Sequence, residues 1–187
     1  MCMYKKICIT NRHLVTGDFL ENIEKIARSD VDMIILREKD MPENEYEALA
    51  SNVIKICADH DKLCVLHSFC ETAIRLNHPY IHLPLESFKN LDGKTRAFFK
   101  NIGVSIHSVD EAIAAENLGA SYITASHIFP TDCKAGLAPR GLEFLKETCG
   151  TVNIPVYALG GVKPSNAEQC IECGAAGVCM MSYYACL

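Results

Sequence analysis

Nine consecutive residues, Ser126-His127-Ile128-Phe129-Pro130-Thr131-Asp132-Cys133-Lys134, bring together an imidazole, two hydroxyls, a carboxylate, a thiol and an amine. They follow a short apolar, β-leaning run, Tyr122-Ile123-Thr124-Ala125. His127 can move protons near neutral pH, which few other side chains do without a large pKa shift. The plainer alternative is a buried histidine bonded to backbone. Lys134 can contact an anion and Thr131 can donate a hydroxyl; equally, a loop lysine is often only solvated. Cys133 beside a lysine has the makings of an activated thiolate. Neighbours in sequence need not face each other, however, and an ordinary thiol fits as well.

A second group of candidates recurs after other apolar runs. Gly160-Gly161 follows Val156-Tyr157-Ala158-Leu159. Paired glycines let backbone N–H groups approach an anion closely, or simply make a tight turn. Ser182 follows a later run and is a candidate partner for the same anion. Arg37-Glu38-Lys39 places two cations after Met33–Leu36, as an anion clamp or an ordinary charged rim. His67-Ser68 follows Leu63–Leu66. Ser108 with Glu111 reads as a helix capping box. Cys170-Ile171-Glu172-Cys173 lacks a second ligand pair, so a structural reading outweighs zinc.

The elements that must position these groups alternate. Strands are expected at Lys6–Thr10, Met33–Leu36, Leu63–Leu66, Tyr80–Leu83, Ile102–Ser105, Tyr122–Ala125, Val156–Leu159 and Gly177–Met180. Helices are expected at Phe19–Arg28 with Asp18 as N-cap, Pro42 to about His60, Phe69–Leu76, within Phe88–Phe99, Val109–Leu118, Leu142–Thr148 and Asn166–Cys173. Eight units in 187 residues leave about 23 residues each, near the minimum for strand, turn and helix. The strands are continuous apolar runs, as when both faces are covered. A single-domain, compact (β/α)8 TIM barrel over residues 1–187 follows, with the candidate groups at the carboxyl ends of its strands, where such barrels carry chemistry. Only seven residues follow Met180, so the final helix is expected to be short or missing. A second copy is then expected to cover the wall beside the eighth and first strands, giving a homo-oligomer, most simply a dimer.

Composition narrows the function classes. A net charge of −5 argues against nucleic-acid binding but leaves room for a small anionic ligand. Apolar residues make up 49% and charged residues 22%, an ordinary globular balance, and no run reaches membrane-spanning length. The eleven cysteines are scattered and odd in number. With no signal-peptide pattern at the start, reduced thiols and a cytoplasmic location are expected.

Leu36-Arg37-Glu38-Lys39, Ile102-Gly103-Val104-Ser105-Ile106-His107-Ser108, Ile128-Phe129-Pro130-Thr131-Asp132-Cys133-Lys134 and Leu159-Gly160-Gly161-Val162, in that order, resemble the thiamine-phosphate-synthase/TenI superfamily of phosphate-binding (β/α)8 barrels. Synthases of this superfamily couple a pyrimidine diphosphate to a thiazole phosphate. They typically carry Asn-Asp-Arg after strand three and an Asp after strand four, both aspartates serving Mg²⁺. Here His67-Ser68-Phe69 and Ser87 stand at those places. Ile35 replaces a common Gln, and Ser126-His127 replaces Gly-Pro. The TenI-like branch has histidine at that point and often continues Thr-Asp-Cys-Lys. Its activity is thiazole tautomerase, which aromatises a thiazole carboxylate phosphate without metal or redox cofactor. The resemblance implies His127 as the proton carrier. It implies Gly160, Gly161 and Ser182, helped by Thr131 and Lys134, as phosphate ligands, and Arg37 and Lys39 as candidates for the substrate carboxylate. The alternatives are thiamine-phosphate synthase and a non-catalytic phosphate-ligand regulator.

Overall fold

The computed structural model describes residues 4–131 and 136–187; Asp132, Cys133 and Lys134 lie outside the described residues. Eight parallel strands follow one another in order around a closed barrel. They are β1 (Lys5–Ile9), β2 (Met33–Leu36), β3 (Leu63–His67), β4 (Tyr80–Pro84), β5 (Asn101–Ile106), β6 (Tyr122–Ser126), β7 (Val156–Leu159) and β8 (Gly177–Met180). The helices are α1 (Phe19–Arg28), α2 (Glu43–Asp59), α3 (Cys70–Arg75), α4 (Leu85–Lys89), α5 (Gly93–Phe98), α6 (Val109–Asn117), α7 (Gly141–Thr151), α8 (Ala167–Glu172) and α9 (Ser182–Ala185). By contacts the chain falls into two compact units. One is Lys6–His82 with Leu91–Asn101 and Met181–Leu187. The other is Leu83–Asn90 with Ile102–Met180 and the N-terminal segment ending at Lys5. No helix among the described residues is long and apolar enough to cross a membrane.

The expected strands all form, and β2, β6 and β8 are buried along their whole length. Two local features were not expected. A separate short helix, α4, precedes the helix expected within Phe88–Phe99, which is α5; Asp92 caps the fresh start by accepting from the backbone N–H of Lys94 and Thr95. A 3₁₀ turn, Arg12–Leu14, precedes α1. As expected, the final helix is short: the residues after Met180 form one helical turn, α9, which buries Tyr184 and accepts from Asn22 of α1 through the Tyr184 carbonyl. The cap at Asp18 is as expected: its carboxylate accepts from the Glu21 N–H at 2.9 Å. Ser108 caps α6 in the same way, but Glu111 reaches back one residue further than a capping box requires, to the His107 N–H.

Inside the first unit, β2 and β3 pair from Met33↔Leu63 to Leu36↔Leu66, and α2 lies against both. Tyr46 of α2, fully buried, closes the end of this ladder. Its hydroxyl donates to the Leu36 carbonyl at 2.7 Å and accepts from the His67 N–H at 3.1 Å. One side chain thereby fixes the two strand ends that carry Arg37 and His67. Tyr46→Phe would leave two buried backbone groups unpaired. We expect it to cost about 1–3 kcal/mol in urea unfolding, with an unchanged m value.

Candidate active site

The second unit builds the region around His127. β6 ends at Ser126 and pairs with β7 through Ser126↔Leu159, so the residues that follow each strand emerge side by side. The Ile128 N–H donates to the Leu159 carbonyl at 3.0 Å and the Phe129 N–H to the Gly160 carbonyl at 2.9 Å. Gly160 and Gly161 have φ of +96° and +67°, a backbone region that side-chain-bearing residues rarely adopt. A Cβ on Gly160 would overlap the His127 Cβ, and one on Gly161 would come within 2.8 Å of the Phe129 Cβ. The glycine pair is therefore required for the close approach of the two strand ends.

His127 is buried, at 5% exposure, and its Nε2 lies 3.4 Å from the Leu137 carbonyl oxygen. A carbonyl only accepts, so this long contact places the proton on Nε2 and leaves the lone pair on Nδ1. Its backbone is held from both sides: the carbonyl accepts from the Arg140 N–H at 2.9 Å, and Gly160 packs on its Cα and Cβ. A residue that the sequence reading gave no role, His107, sits here too. Its Nδ1 is 3.0 Å from the Ser126 carbonyl oxygen and 3.1 Å from the Ser126 hydroxyl. His107 thus anchors the residue immediately before His127. The strand rhythm placed His107 after β5 but could not say that it reaches across to β6. Thr131 is half-buried at the end of this segment.

The first unit holds Arg37, Lys39 and Ser182. Arg37 follows β2, and its N–H donates to the Thr10 hydroxyl at 2.9 Å. Thr10 in turn donates to Glu38 at 2.6 Å, and Glu38 also accepts from the backbone and guanidinium of Arg12. The carboxylate between the two cations is thereby turned away into the end of β1. Asp40 takes the rest of the Arg12 guanidinium and His13, and Arg12 holds its carboxyl far below the usual carboxylate range. Ser182 is the first residue of α9, which packs on the Arg12–Leu14 turn.

His67 and His82 meet at the ends of β3 and β4. They are directly paired in register, and their rings stack with centroids 5.5 Å apart. Both are buried, at 4% and 2% exposure. Burial pushes the His82 imidazole down to about 3, and the Lys39 charge acts in the same sense. Burial, then His82, Lys39 and Arg37, holds His67 well below the ordinary imidazole value. Both rings are neutral in the folded protein. The unfolded chain takes up protons on them as pH falls through about 6.5, which the native state does not, so stability is complete above that pH and falls below it. We expect His82 to account for a loss of about 2 kcal/mol between pH 7 and pH 5 in urea unfolding, with His67 and His78 adding in the same direction. His82→Gln should flatten this dependence by its share; an unchanged slope would count against the burial of His82.

Among the described residues, the groups present do not fit a synthase's Mg²⁺. Ser68 spends its hydroxyl on His67 Nδ1 at 2.7 Å, and Ser87 is exposed on α4. Glu38 is fully engaged. Among the described residues, no three His, Cys, Asp or Glu side chains are grouped to hold a metal ion. Imidazoles beside Arg37 and Lys39 are a poor environment for a hard dication, which wants anionic oxygens. The cysteines behave as expected: Cys8, Cys57, Cys64 and Cys179 are buried thiols.

The family profile described as Thiamine monophosphate synthase matches residues 7–183. A protein of Aquifex aeolicus named putative thiamine-phosphate synthase 2 is 36% identical over 176 residues, covering 94% of this chain and 95% of its own. Thiamine-phosphate synthase of Clostridium acetobutylicum is 31% identical, covering 96% and 86%. The solved structure of thiamine phosphate pyrophosphorylase from Pyrococcus furiosus superposes with a TM-score of 0.83 at 26% identity, covering 96% of this chain and 86% of that one. These names favour the synthase alternative over the tautomerase expectation.

Proposed function

The chain belongs to the thiamine-phosphate-synthase/TenI family, and we propose that within it this protein is a thiazole tautomerase that aromatises a thiazole carboxylate phosphate. The observation that carries the reading is His127: a buried residue at the end of β6 whose backbone is held between Gly160 and the Arg140 N–H. Aromatisation needs one proton taken from the ring carbon and one returned to the exocyclic carbon, with the electron pair of the broken C–H bond entering the ring. His127 Nδ1 accepts the first proton, and the resulting imidazolium donates one to the exocyclic carbon. The carrier ends as it began. Gly160 and Gly161, with Thr131 and Lys134, are the phosphate ligands of this reading.

The second reading is thiamine-phosphate synthase, favoured by the names of the relatives. What weighs against it is the donor set at β3 and β4, where hydroxyls and neutral imidazoles stand. A paired assay separates the two. Purified protein is given either the non-aromatic thiazole carboxylate phosphate, or the pyrimidine diphosphate and thiazole phosphate with Mg²⁺. Aromatisation in the first and no thiamine phosphate in the second is the expected result. Mg²⁺-dependent thiamine phosphate formation without aromatisation would establish the synthase.

A further inference from the structure

The backbone that carries the His127 ring is held by one hydrogen bond on each side, and one of the two donors is a side chain. The peptide group after His127 is fixed through its carbonyl, which accepts from the Arg140 N–H at 2.9 Å. The peptide group before it is fixed through the Ser126 carbonyl, whose oxygen lies 3.0 Å from His107 Nδ1. The Ser126 hydroxyl oxygen is 3.1 Å from the same nitrogen. A carbonyl oxygen only accepts, so Nδ1 carries the proton and shares it between the two oxygens. Among the described residues, the hydrogen bonds of the His107 ring go to Ser126 alone. Ser126 is buried, so water has little access to replace that donor. A buried carbonyl without a donor is unfavourable, and a strand end that lost one would shift to find another.

His107 is itself firmly placed. β5 and β6 pair from Gly103↔Tyr122 to Ile106↔Ala125, so His107 and Ser126 are the next residues along two strands already in register. Ser108 caps α6, its hydroxyl accepting from the Glu111 N–H at 3.1 Å. The Glu111 carboxylate reaches back and accepts from the His107 N–H at 2.6 Å. The His107 backbone is thereby tied to the first turn of α6, and its ring is left to reach β6. The strands do not need that ring to stay together, because four paired positions hold them. What the ring fixes is the plane of the peptide group on which His127 begins.

We propose that His107 is the positioning residue of His127. Through the Ser126 carbonyl it sets the direction in which the imidazole at the end of β6 meets its substrate. The inference rests on the tautomerase reading for the reaction being served, and adds to it a residue that moves no proton. Support runs from the first turn of α6 to His107, from His107 to Ser126, and from Ser126 to His127. A reacting group displaced by about 1 Å can lose a hundredfold in rate, so an anchor one residue away acts on turnover rather than on binding.

The test compares two variants. His107→Phe keeps a ring and removes the donor. His107→Asn keeps a donor, because its amide nitrogen stands one bond beyond Cγ, as Nδ1 does, and can donate to the same carbonyl. Urea unfolding checks that both are folded, and His107→Leu serves if the phenylalanine variant is not. His107→Phe is expected to lower kcat for aromatisation about tenfold to a hundredfold with KM within about twofold, and His107→Asn to regain most of the loss. A merely structural residue would lower stability and leave the kcat of the folded protein unchanged. A proton carrier would be damaged as much by asparagine as by phenylalanine. Either result overturns the proposal, as does a rise in KM at constant kcat. The nitrogen–proton correlation spectrum of the histidine rings needs no substrate. In it His107 should be the Nδ1–H tautomer, and the His127 ring signals should move in His107→Phe and return in His107→Asn. An Nε2–H tautomer at His107, or His127 signals that stay put in His107→Phe, would overturn the anchor. Wild-type protein that gives these signals but does not aromatise the substrate would instead overturn the tautomerase reading and leave the anchor standing.

Discussion

His127→Asn is expected to lower the turnover number for aromatisation by about two to four orders of magnitude, the range for losing a positioned acid–base group. Asparagine keeps a polar side chain of similar reach but cannot carry a proton. The backbone contacts that define the site, the Arg140 N–H on the His127 carbonyl and the approach of Gly160, do not involve the imidazole. Stability should therefore change little. KM should also hold, because the assigned phosphate ligands are untouched. Steady-state kinetics with urea unfolding as a control tests this. A variant with full turnover would remove His127 from the chemistry.

Gly160→Ala is expected to be the most damaging single-methyl change. It combines two costs. An alanine at φ +96° is strained by about 1–3 kcal/mol. Its Cβ would also overlap the His127 Cβ and lie 2.7 Å from the His127 Cα, so backbone must move on one side or both. Overpacking of this kind costs about 1–3 kcal/mol more. Gly141→Ala is the internal control: φ is +81° there, but the added methyl meets nothing within 4 Å. We expect Gly141→Ala to show the strain alone and Gly160→Ala to exceed it by the overlap. The Gly160 variant should also lose activity beyond its loss of stability, since moving a reacting group by about 1 Å can cost a hundredfold in rate. Equal effects at the two glycines would mean that the approach to His127 is not tight.

The same two positions show what a single sequence can disclose. β2, β6 and β8 were legible because strands buried by both layers are largely apolar runs, and turn residues bracket them. Gly160-Gly161 was legible as a pair, but its purpose was not: the overlap with His127 and Phe129 depends on the β6–β7 register. His67 was read only as an odd residue after β3. Its pairing with His82 comes from the β3–β4 register, which no local pattern encodes. His107 was given no role, because its contact with Ser126 spans 19 residues of sequence. Helix was expected within Phe88–Phe99 without bounds, because composition marks helix content better than a break, and the break before α5 rests on the Asp92 cap. Lys134, legible as an anion ligand, lies outside the described residues.

The central claim is that an imidazole held at the end of β6 moves the proton. The most direct measurement is the aromatisation of the non-aromatic thiazole carboxylate phosphate in D₂O with a chelator present, followed by absorbance and by the deuterium content of the exocyclic carbon. The expected result is a rate far above that in buffer, deuterium at the exocyclic carbon, and loss of the acceleration in His127→Asn. Wild-type protein that aromatises the substrate no faster than buffer would contradict it.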